Sequence, residues 1–151
     1  LSGVSYKNVH TKVVINTASL QKISASASAK VQVKNTLKWE GKIQLESSSA
    51  ASIFANVDAP IIDAEASSGS ILELSGRTQS YKVQCSSGST ITSDALLSEN
   101  TDVQASSGGS VSVHASVSLK AAASSGGDID YKGGGSVNSK ESSGGSVSKV
   151  D

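Results

Sequence analysis

Nine carboxylates are the residues of this chain best suited to chemistry: Asp58, Asp63, Glu65, Glu73, Asp94, Glu99, Asp102, Asp128 and Asp130. Cleaving a polysaccharide by acid–base catalysis needs two such groups at a fixed separation, in environments that pull their proton affinities apart. Asp63 and Glu65 are two residues apart in an alternating stretch, so they share a face, and so do Asp128 and Asp130. One repeat earlier the places of Asp128 and Asp130 are held by Ser110 and Ser112, and one repeat later by Ser146 and Ser148. No column of carboxylates results. The single arginine, Arg77, lies in the turn-like stretch LSGRTQ. Catalysis is therefore not expected.

Nucleophiles and metal ligands are equally sparse. Cys85 is the lone cysteine and occupies the slot that other repeats fill with Ala66, Ala105 and Ala123. It reads as a small buried hydrophobe with no histidine to activate it. His114 alternates with Val111 and Val113, so it faces outward, and His10 stands alone near the start. No HxxxH, HExxH or paired cysteine spacing offers a metal site. GGDIDYKGGG lacks the nine-residue repeat of calcium-binding solenoids. Its KGGG also lacks the Gly-Lys-Ser/Thr ending of a phosphate loop. Tyr6, Trp39, Phe54, Tyr81 and Tyr131 form no aromatic platform for sugar stacking. Catalytic, cofactor-binding and metal residues are each expected to be none, and no cofactor is implied.

The 151 residues fit one domain, with zero formal net charge and a sequence pI near 6.9. Without a basic surplus, nucleic acid is not an expected partner. Serine makes up 34 of the residues, yet Val, Ile, Leu and Ala alternate with polar residues along the whole length. That pattern separates the chain from a flexible Ser/Gly linker. No apolar run is long enough to span a bilayer. The opening LSGVSYKNVH has neither an initiator Met nor a signal-peptide pattern, so a processed or truncated chain is expected.

What positions these side chains is a repeat. Ser-Ser pairs begin at Ser47, Ser67, Ser86, Ser106, Ser124 and Ser142, with spacings of 20, 19, 20, 18 and 18. The last five continue into glycine: Ser67-Ser68-Gly69, Ser86-Ser87-Gly88, Ser106-Ser107-Gly108, Ser124-Ser125-Gly126 and Ser142-Ser143-Gly144. Two or three residues later comes a branched aliphatic: Ile71, Ile91, Val111, Ile129 or Val147. The segments before each pair also alternate, with Ile62, Val83, Val103, Leu119 and Val137 in related places. A period of two marks strands, and no sustained helical period competes with it.

Strands of this length, recurring every 18–20 residues between Ser/Gly corners, predict an all-β fold: a parallel β-helix, or single-stranded β-solenoid. Each coil leaves an apolar side that only stacking can bury. The predicted core column is Ile71, Val83, Cys85, Ile91, Val103, Val111, Val113, Leu119, Ile129, Val137 and Val147. Ser-Ser-Gly is the predicted corner. Glycine supplies the unusual backbone angles, and the serine hydroxyls bond neighbouring backbone in a ladder. The alternative reading of the serines is a repetitive ligand-binding surface. Residues 1–45 read as less regular early coils, including TKVVIN (11–16) and a face made by Ile23, Ala25, Ala27 and Ala29, continued by Val31 and Val33. Trp39 is placed to close a corner or cap the column. Residues 46–151 carry the repeats within the same single domain.

The final stretch, ASSGGSVSVHASVSLKAAASSGGDIDYKGGGSVNSKESSGGSVSKVD, resembles the head GIN domain, a bacterial family of Bacteroidetes type described as auto-transporter adhesins. The likeness rests on Tyr131, Gly133, Val137, Lys140, Ser143, Gly144, Gly145, Ser146 and Val147. It covers residues 45–151 well and the first 45 weakly. The resemblance implies a right-handed β-helix, export to the cell envelope and no catalytic residues. It also implies that Leu1 lies inside the domain, within a longer exported chain. The expected function is a non-catalytic envelope adhesin or binding scaffold that holds a surface ligand, glycan or protein, on a solenoid face. The alternatives are a structural spacer that forms homo-oligomers by end or edge stacking, and a polysaccharide lyase or hydrolase. The expected location is the periplasm, the outer-membrane surface or the extracellular space.

Overall fold

The corners explain the architecture. In the computed structural model, which describes residues 20–151, seven four-residue turns recur: 26–29, 48–51, 67–70, 86–89, 106–109, 124–127 and 142–145. Each is closed by an amide donating to the carbonyl three residues back, as from Ser70 to Ser67. Both central residues take positive φ, as at Ser68 (φ 53) and Gly69 (φ 68). That is the type I′ geometry, which glycine tolerates and serine adopts only at a cost. Stacking offsets the cost. The amide of Gly69 donates to Ser87 O in the next coil (3.1 Å), Gly88 to Ser107 O (3.1 Å) and Gly108 to Ser125 O (3.2 Å). The ladder that joins like corners is thus made by backbone groups. Hydroxyls contribute one position later, where Ser70 Oγ donates to Ser47 O (2.8 Å) and Ser89 Oγ to Ala66 O (2.8 Å).

Between corners run twelve parallel-paired strands: β1 (Lys22–Ala25), β2 (Lys30–Gln32), β3 (Leu37–Lys38), β4 (Lys42–Ser47), β5 (Ser52–Asp58), β6 (Ile61–Ala66), β7 (Ile71–Cys85), β8 (Thr90–Ala105), β9 (Ser110–Ala123), β10 (Asp128–Lys132), β11 (Ser136–Glu141) and β12 (Ser146–Lys149). They stack into three ladders. The strand segments leading into the corners form the first, through β1, β4, β6, the second halves of β7, β8 and β9, and β11. The segments leaving the corners form the second, ending in β10 and β12. A shorter third ladder joins Leu37, Val57 and Gly76 with their neighbours. The described residues form a β-solenoid of about seven coils, each about 4.8 Å above the last.

Its interior is a slim column. Ile43, Leu45, Ile53, Ile62, Leu72, Val83, Ile91, Val103, Val111, Val113, Leu119 and Ile129 are buried, as are Cys85 and a file of alanines. Two members of the predicted column need correction. Ile71 is 45% exposed and Leu72 is 0% exposed. Counting three residues from every corner glycine leads to Leu72, Ile91, Val111, Ile129 and Val147, and a one-residue slip moves a side chain to the opposite face. Val137 stacks on Leu119 as an inward residue should, yet it is 43% exposed because it lies on the last described coil. Val147, on the same coil, is half-buried.

Register also regroups other positions. Ile62 stacks on Tyr81 and Thr101, whereas Val83 and Val103 stack on Ala64 two residues further on. The looser corner is Ser48–Ala51, which leaves Ser47 inside and buried. Ala27 is exposed, with φ 53 in the first corner, so the face that starts with Ile23 and Ala25 ends there. Trp39 sits half-buried at the bend between β3 and β4 and packs on the core. Tyr6, His10 and the TKVVIN segment lie outside the described residues.

Candidate binding face

The first ladder sends its outward side chains into three rows along the rod, and the two nearest the corners carry most of its charge. Register sets one row as Lys22, Gln44, Asp63, Lys82, Asp102, Lys120 and Asn138. From Asp63 to Lys120 its charges alternate in sign, so neighbours one coil apart attract. Lys120 Nζ lies 3.2 Å from Asp102 Oδ2. The adjacent row runs Ser24, Glu46, Glu65, Gln84, Gln104, Ala122 and Lys140. Here the alternation fails, since Glu46 and Glu65 are direct neighbours of like charge. Lys22 Nζ relieves Glu46 at 2.6 Å, and Lys42 pairs with Asp63. Glu65 and Lys82 make no ion pair with another described residue.

These side chains line a shallow groove of about 140 Å³, walled by Gln44, Glu46, Asp63, Glu65, Lys82 and Gln84. The arrangement offers carboxylate acceptors, amides that both donate and accept, and an ammonium donor, on a rigid sheet. Such a set holds a ligand by hydrogen bonds. Neither the thiol nor the described imidazole joins it. Cys85 is buried on the opposite side of the sheet, and His114 belongs to the row of Leu97 and Lys132.

The expected carboxylates separate accordingly. Asp63 and Glu65 come together, and Glu46 joins them from the adjacent coil, which the sequence reading had not counted. Glu46 and Glu65 each lie two residues before the first residue of their corner, Ser48 or Ser67, so placing the looser corner at Ser48 finds the pair. Asp128 and Asp130 stand between serines as expected, and Asp128 Oδ1 accepts from Ser146 Oγ at 2.6 Å. Asp94 Oδ2 lies 3.1 Å from Lys132 Nζ. Arg77 clamps Asp58 with two bonds, Nε to Oδ1 (3.1 Å) and Nη2 to Oδ2 (3.0 Å). That clamp holds the Asp58 carboxyl below its ordinary range and raises the guanidinium. It lines a broader hollow with Thr36, Lys38, Asn56 and Leu97.

Inside the rod two groups are perturbed by burial. Desolvation pushes the Cys85 thiol up, against hydrogen bonds that include Ser89, whose Oγ is 3.1 Å from Sγ. A protonated, buried thiol is inert. Desolvation raises the Tyr81 phenol much further, with Ser93 a smaller opposing influence. Tyr81 Oη has no hydrogen-bond partner, and the Ser93 hydroxyl donates instead to Ser112 O at 2.7 Å. Sequence alone had put Tyr81 among scattered aromatics and missed that it fills the core.

A family model described as "Putative auto-transporter adhesin, head GIN domain" matches residues 2–135. The chain belongs to this family. No curated protein and no solved structure matches it. The match corrects the extent of the resemblance. It takes in the first 45 residues, which had seemed weakly covered, and stops before Val137, Lys140 and Ser143 to Val147. The head GIN match thus holds the groove and six corners, and the coil made by β11 and β12 lies beyond it.

Proposed function

We propose that this head GIN chain is a non-catalytic binding domain of the cell envelope that holds a surface ligand, glycan or protein, along the first-ladder face. The domain is exported to the periplasm, outer-membrane surface or extracellular space, and residues 1–151 act as one unit of a longer chain. One observation carries the reading: the Glu46–Glu65–Gln84 row breaks the charge alternation of its neighbour at the groove. Alternation alone would serve solenoid stability, and Glu65 and Lys82, which make no ion pair among the described residues, are left to meet a ligand. The adhesin description of the family supports the same role. Among the described residues no helix is long and apolar enough to cross a membrane.

The test is a binding screen of the complete exported protein against glycans and matrix proteins. The captured ligand is then titrated against a Glu65→Ala/Lys82→Ala/Gln84→Ala variant. A loss of affinity of roughly tenfold or more, with unchanged melting, is expected for three interface contacts. A screen that stays blank sinks the binding reading. A ligand bound equally well by the variant moves the site to another face.

A further inference from the structure

We propose that the β11–β12 coil is closed against end-on stacking by a second copy of this chain, and that Glu141 and Lys149 close it. An open solenoid end presents unpaired ladder groups and an apolar column, which together invite another coil. Among the described residues each inward column remains free of charge until this coil. The column of Ala25, Ser47, Ala66, Cys85, Ala105 and Ala123 ends in Glu141. The column of Ser93, Val113 and Tyr131 ends in Lys149.

Glu141 does more than sit over the column. The amides of Ser146 and Val150 donate back to Gly127 O (2.9 Å) and Tyr131 O (3.0 Å). Amides of a parallel strand point alternately to its two neighbours, so that of Val147 points outward, where a further coil would lie. It donates instead to Glu141 Oε1 at 2.8 Å. A stacking copy would have to break this bond and bury a carboxylate and an ammonium over apolar columns without partners. The exposed Val137 and half-buried Val147 are the apolar remainder that the two charges protect.

The experiment compares the native chain with a Glu141→Ala/Lys149→Val variant, which restores the residue types of Ala123 and Val113. Both are sedimented over a concentration series, with hydrogen exchange read on β11 and β12 and melting checked to confirm folding. The native chain is expected to keep those amides equally exposed at every concentration, and its Val147 amide to exchange more slowly than in Glu141→Ala. The double variant should roughly double its sedimenting mass as end-on pairs form and should gain protection on β11 and β12. Concentration-dependent protection of β11 and β12 in the native chain would overturn the proposal. So would a folded double variant that behaves like the native one, or a Val147 amide indifferent to Glu141.

Discussion

Ile71 and Leu72 are adjacent branched aliphatics, and the corner assigns them opposite fates. Leu72 lies in the column between Ile53 and Ile91, with no exposed surface, whereas Ile71 lies between Ser52 and Thr90 and is 45% exposed. Cutting Leu72 back to alanine removes buried methyl groups from a narrow core and leaves a cavity, at a cost of about 2–5 kcal/mol. The same cut at Ile71 loses mainly strand preference and partial contact, about 1 kcal/mol or less. For a chain of this size each kcal/mol moves the melting temperature by roughly 2–4 °C. Leu72→Ala should therefore melt roughly 4–20 °C below the native protein, and Ile71→Ala within about 4 °C of it. Thermal melts followed by circular dichroism measure both. Equal losses, or a larger loss at Ile71, would refute the register on which both the groove and the closed coil depend.

Two further perturbations probe the corners and the core. Gly133 has φ 116, and a methyl there would overlap the Ala115 carbonyl oxygen, whereas Gly126 (φ 72) has open space around it. Gly133→Ala should cost about 2–6 kcal/mol and Gly126→Ala about 1–2 kcal/mol, read as urea midpoints; comparable losses would contradict the close approach. In the core, burial raises both Cys85 and Tyr81 above their ordinary values of 9.0 and 10.0. The folded chain thus keeps protons that the unfolded chain releases. Their contribution is fully present below roughly pH 9 and is lost as pH rises further. Tyr81→Phe should flatten the part of that fall above roughly pH 10 and leave neutral-pH stability unchanged or raised, because the lost hydroxyl has no partner. An unaltered alkaline slope would show that the phenol is not buried as described.

Much of this fold is visible in the sequence because one physical requirement repeats. Every coil must turn, and Ser-Ser-Gly marks the turn wherever glycine takes the second left-handed position. The period, the strand alternation and the small slot of Cys85 all follow from that mark. The reading slips where the mark changes. Ser48–Ala51 turns without glycine, so the pair at Ser47 looked like the corner and Glu46 was not set against Glu65. Two aliphatics follow Gly69, and Ile71 fits a count of two or three residues as well as Leu72 does. Val137 occupies the right column, and its exposure depends on what stacks above it, which alternation within one strand does not encode. The groove needs register across three coils, so no local motif announces it. Tyr81 differs again, since its lone large ring replaces an aliphatic in the column and only the surrounding packing shows that it points inward.

Fractionation of host cells tests the central claim, that this face meets a ligand beyond the cytoplasm. Antibody raised against residues 20–151 should find the chain in the periplasmic, membrane or extracellular fraction. A chain recovered only in the cytoplasmic fraction would contradict the account.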